Sequence, residues 1–127
     1  RVLACLELHT YSSLNAKFLK EYKSALRFAD DAVVFYSPEA VEIKKLKKVT
    51  EKQTRDAIER DYLVVYTNPS EFKNFLFGQN FTNTAVLLMS SGNYGGLDFN
   101  QFKSLIVLFV PGIIMAAGLP TCSGLST

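Results

Sequence analysis

Apolar and polar positions alternate between two periods along this chain. Val2–Leu8 is an apolar run broken only by Glu7, the pattern of a central strand buried on both faces of a parallel sheet. From Leu14 the period lengthens, and Leu14, Phe18, Leu19, Tyr22, Ala25 and Leu26 fall on one helical face, which predicts an amphipathic helix. Ala32–Tyr36 is a second buried strand, followed by Ser37-Pro38-Glu39, with serine as N-cap and proline at the first helical position of a short helical turn over Glu39–Val41. Thr50-Glu51-Lys52-Gln53 has capping-box spacing and starts a helix to about Arg60. Tyr62–Thr67 reads as the third strand. Asn68-Pro69-Ser70-Glu71 opens a helix carrying Phe72, Phe75 and Leu76 and ending near Phe77, before Gly78. Thr84–Met89 is the fourth strand, and Asp98 caps a last helix from Phe99 to about Ile106.

Strands alternating with helices at this spacing predict an α/β fold: a Rossmann-like three-layer domain, its sheet mostly parallel and its helices on both faces. At 127 residues the chain suits one domain with a real core. The tail 107–127 fits less easily. Its apolar stretches Leu105–Val110 and Ile113–Ala117 are interrupted by Pro111-Gly112 and fall short of the roughly 20 residues a membrane helix needs. A core strand, a packed extension and a non-native continuation all stay open for it, so the domain proper is expected over 1–106. Because a core strand begins at Val2, the chain is expected to be excised from a longer protein.

Composition narrows the function. Hydrophobic residues at 48% and charged residues at 20% are globular values, and a net charge of +2 gives no reason to expect nucleic acid. Two cysteines, Cys5 and Cys122, make no disulfide framework and, with no secretory signal, fit a cytoplasmic setting. The run Lys44-Lys45-Leu46-Lys47-Lys48 lacks interleaved aromatics and reads as a solvated face. One histidine and two cysteines argue against a structural zinc site, and no dinucleotide fingerprint or P-loop occurs.

Two turns carry candidate chemistry. The first, His9-Thr10-Tyr11-Ser12-Ser13, holds the only histidine and several hydroxyls between a strand and a helix start, a setting that suits an anion. Its serines serve equally well as simple helix caps. The second, Ser90-Ser91-Gly92-Asn93-Tyr94-Gly95-Gly96, follows a buried strand, and its glycines let the backbone approach a ligand or merely make a tight turn. Both follow parallel strands, so both are expected on one edge of the sheet.

These residues resemble the C-terminal domain of the Mur ligases, the ATP-dependent amide-forming enzymes of peptidoglycan assembly, over about 1–106. The likeness runs through Leu6-Glu7-Leu8-His9-Thr10-Tyr11-Ser12, Phe18-Leu19-Lys20-Glu21-Tyr22, Ala29-Asp30 and Val33–Tyr36. It is sharpest in Leu88-Met89-Ser90-Ser91-Gly92-Asn93-Tyr94-Gly95-Gly96, which is similar to the signature of the branch joining UDP-N-acetylmuramate to a recycled tripeptide, the murein-peptide ligases. The muramate–alanine ligases are the next most similar. Thr10 and Ser13 stand where many relatives carry arginines, and Leu8 where proline is usual.

The resemblance implies a bacterial cytoplasmic ligase in which an N-terminal domain holds the UDP-sugar and a central domain binds most of the ATP and Mg2+. The third domain closes over the nucleotide and receives the amine. His9, Thr10, Ser12 and Ser13 would face the nucleotide and acyl phosphate; Ser90, Ser91, Gly92, Asn93 and Tyr94 would face the amine substrate. Alone, the chain would be inactive, with no complete catalytic set. No nucleic acid, membrane or own metal site is expected. The rival expectation is a free-standing flavodoxin-like module that binds an anion or a protein without catalysis.

Overall fold

The structure, a computed structural model, describes residues 1–10, 14–15, 17–44, 49–60, 62–109 and 114–118; at 105–109 and 114–118 it describes the backbone. Among the described residues five strands form one parallel sheet: β1 (Val2–Glu7), β2 (Asp31–Phe35), β3 (Val64–Tyr66), β4 (Ala85–Met89) and β5 (Ile114–Gly118). Their order across the sheet is β3-β2-β1-β4-β5, so the expected α/β, Rossmann-like fold is the one observed. The α-helices described beside them are α1 (Pro38–Ile43), α2 (Glu51–Ile58), α3 (Pro69–Phe77) and α4 (Phe99–Phe109).

β1 is central because its sequence can be buried on both sides. Its odd positions Leu3 and Cys5 join Val33, Phe35, Val86 and Leu88 beneath α3 and α4, where Phe72, Leu76 and Phe102 complete a ring-rich core. Its even position Ala4, with Leu8 just beyond the strand, joins Val34, Leu19, Val41 and Ile58 in a mainly aliphatic core under α1 and α2. Glu7 continues the odd row, which brings a carboxylate to the end of the ring-rich face.

The caps act as the sequence predicts. Thr50 and Gln53 close a reciprocal capping box on α2. Asn68 accepts from the amides of Ser70 and Glu71 at α3, and Asp98 accepts from Gln101 at α4.

Two expectations need correction. The amphipathic helix expected from Leu14 to Leu26 is instead a short 3-10 helix, Phe18–Tyr22, followed by turns. Asn15 accepts from the Lys17 amide, and Ser24, at φ 60°, turns left-handed and donates to the Ile58 carbonyl at the end of α2. Satisfying that helix end ties the segment down at Ser24 and overrides its local helical preference. Leu14, Leu19 and Leu26 are still buried, but Phe18 and Ala25 are exposed.

The tail is the other. α4 runs on to Phe109, and Ile114–Gly118 pairs with Ala85–Met89 as the fifth strand. The sheet therefore extends past the boundary expected at 106, and of the alternatives open for the tail, a sheet strand is the one observed.

Candidate functional site at the carboxyl ends of β1 and β4

Leaving β1, the chain builds the sheet outward through β2 and β3, then returns to place β4 on the other side of β1. The carboxyl ends of β1 and β4 thus flank the point where the strand order reverses, the usual ligand crevice of open α/β sheets. Both candidate turns leave from there.

Glu7 joins them. Its side chain is 3% exposed. Carboxylate Oε1 accepts the Ser90 hydroxyl and, at 2.9 Å, the Tyr94 amide. Ser90 Oγ in turn accepts the Gly92 amide at 2.7 Å. Oε2 lies 3.8 Å from Nδ1 of His9, whose side chain is 41% exposed. A buried carboxylate is tolerated only where hydrogen bonds replace water, and the loop after β4 supplies them. The loop is shaped to fit: a Cβ on Gly92 would come within 2.9 Å of Glu7 Oε1 and 3.0 Å of His9 Cγ.

The other half of the loop is held by Tyr94. Expected to face the amine substrate, its side chain is instead 1% exposed and points into the core. It stacks on Phe72 at 4.8 Å between ring centroids, and its hydroxyl shares its proton between the carbonyls of Cys5 (2.8 Å) and Met89 (3.1 Å). An aromatic ring with a polar tip packs well wherever carbonyls at the sheet's end need a donor, and here that use overrides the surface role. Burial, then the neighbouring Cys5 and Glu7, push its phenol well above the ordinary range. Burial likewise pushes the Cys5 thiol up to about 12, which leaves it protonated and unreactive. Tyr94, Gly95 and Gly96 all adopt positive φ, so the chain reverses sharply against Pro69.

Some amides of this loop and of the residue after it are spent inward. Gly92 donates to Ser90, Tyr94 to Glu7, and Gly96 and Leu97 to Asn93. The expectation that the glycine loop offers its amides to a ligand therefore fails at Gly92, Tyr94 and Gly96. What it presents outward is the exposed Asn93, Gly95 and Gly96 and the half-buried Ser91 and Gly92.

Of the first turn, His9 is half-exposed beside Glu7 and Thr10 is exposed; Ser12 and Ser13 lie outside the described residues, as do Lys45, Lys47 and Lys48 of the basic run. The sequence reading missed Glu7 as a site residue, although a lone carboxylate in an apolar strand was the available signal. Among the described residues no group of three or more His, Cys, Asp or Glu could hold a metal ion. Among them, too, no helix is long and apolar enough to cross a membrane. No family model matches the chain, and neither a curated protein nor a solved structure matches it.

Proposed function

We propose that this chain is the substrate-closing third domain of a bacterial cytoplasmic Mur-type ligase, the amide-forming class it resembles, acting on UDP-N-acetylmuramate and a peptide or amino acid. The observation that carries this reading is the junction at Glu7, which makes one site of two turns read separately as an acyl-phosphate side and an amine side. A difference between the turns supports it: imidazole and hydroxyl leave β1, whereas the loop after β4 turns the amides of Gly92, Tyr94 and Gly96 inward.

In such a reaction ATP supplies the phosphoryl group that activates the muramoyl carboxyl. The amine nitrogen then bonds to that carbonyl carbon, phosphate leaves, and the nitrogen gives up a proton. This chain's part is binding and orientation. Asn93 and Ser91 would hold the amine substrate, while His9 and Thr10 would line the side of the leaving phosphate. Magnesium finds no group of three or more His, Cys, Asp or Glu among the described residues. Oriented approach of the two reactants is where a closing domain contributes most to the rate.

The test is an amide NMR titration of the 127-residue chain. Millimolar L-alanyl-γ-D-glutamyl-meso-diaminopimelate is expected to shift the amides of Ser90–Asn93, and ATP with magnesium those of His9 and Thr10. Tripeptide shifts centred elsewhere, or none, would remove the amine-side reading. A response to inorganic phosphate alone would favour a plain anion-binding module.

A further inference from the structure

The two oxygens of Glu7 serve different neighbours. Oε1 is taken up by Ser90 and Tyr94, which fixes the carboxylate plane. Oε2 then faces Nδ1 of His9 at 3.8 Å, too long for a hydrogen bond but close enough for the charge to orient an imidazole. Because Glu7 is buried, water screens that charge little. Gly92 lies beside the ring, so close that a Cβ there would stand 3.1 Å from Nδ1.

We propose that Glu7 is a positioning residue for His9: the buried carboxylate keeps the proton of the neutral imidazole on Nδ1 and leaves Nε2 as the nitrogen offered to a ligand. A carboxylate behind an imidazole commonly selects the tautomer in this way. The nitrogen so presented accepts a hydrogen bond or a proton from an N–H or O–H group. His9 is thus set to meet a protic ligand as a base. The same geometry gives Gly92 its purpose, as the one residue type that leaves room for the ring. That His9 meets a ligand rests on the function proposed above; the choice of tautomer does not.

A long-range proton–nitrogen correlation spectrum of the isotope-labelled, ligand-free chain tests this, at a pH well above the ordinary histidine range. With one histidine in the sequence, the imidazole signals need no further assignment. The expected result is a predominant Nδ1–H form, the reverse of the preference of free imidazole side chains in water. Glu7→Gln should restore the Nε2–H form, while Ser90→Ala, which removes a hydroxyl but not the charge, should keep Nδ1–H. Predominance of Nε2–H in the wild-type chain would overturn the proposal even if the Glu7 variant failed to fold. Retention of Nδ1–H in Glu7→Gln, or its loss in Ser90→Ala, would overturn it too. Ligand titrations that fail while the tautomer result holds would count against the ligase reading alone.

Discussion

The two ends of the sheet solve the same problem with opposite charges. At the amino ends of the strands, arginines do the stitching. Arg1 reaches Asp31 at 2.6 Å, the Asn80 carbonyl at 2.8 Å and Gln79 at 2.9 Å, and Arg60 donates to the carbonyls of Leu26, Ala29 and Asp30. At the carboxyl ends a carboxylate collects amide and hydroxyl donors instead. The amino-end contacts involve mostly exposed groups on long flexible side chains, whereas Glu7 and Tyr94 are buried and their loop adopts three consecutive positive φ values. A guanidinium fork closes gaps between carbonyls at little cost, because it remains hydrated. A buried carboxylate must be matched atom by atom, so it dictates the loop around it. The amino end looks like a fastening, the carboxyl end like a shaped surface.

That contrast can be broken from its strongest point downward. Phe72→Ala removes the ring on which Tyr94 stacks and is expected to cost about 3–5 kcal/mol in denaturant unfolding, with the amides of 90–97 losing dispersion first. A loss under about 1 kcal/mol would mean that the loop does not depend on the aromatic core. Gly95→Ala comes next: at φ +73° its new Cβ would stand 2.6 Å from Pro69 Cγ, and a loss of about 1–3 kcal/mol is expected. Gly96→Ala meets nothing within 4 Å, but at φ +111° any side chain strains the backbone, so a comparable loss of about 1–3 kcal/mol is expected there from strain alone. At the amino end, Asp31→Asn leaves an exposed arginine with other partners and should change stability by less than about 1 kcal/mol, falling further in added salt. A larger loss there would erase the distinction between the two ends.

Much of this arrangement was legible beforehand, and the misses have physical causes. The strands could be read because β1, β2 and β4 are apolar on both faces, and the caps because Thr50, Asn68 and Asp98 act through their immediate neighbours. The first connection was misread since the hydrogen bond from Ser24 to Ile58 is a tertiary contact that no local period encodes. Tyr94 carried a signal that pointed two ways, a phenol being equally at home under a loop and on one. The tail was opaque because Ile114–Gly118 is recognisable as a strand only once β4 offers it an edge. Within the site, residue types revealed the two turns. Their junction needed the side-chain row of β1, whose last member is Glu7.

β1 also sets an order in time. Val2 pairs with Ala85 on one flank and Leu3 with Asp31 on the other, so β1, made before either neighbour, keeps one side open until β4 has followed it. Pairings so distant along the chain are slow to form, and an apolar strand waiting unpaired is the natural target for chaperones or for its own aggregation. Glu7 interrupts that strand during the wait. A residue that later organises the loop therefore also serves earlier, as a charged gatekeeper on a nascent segment whose other side chains all favour association.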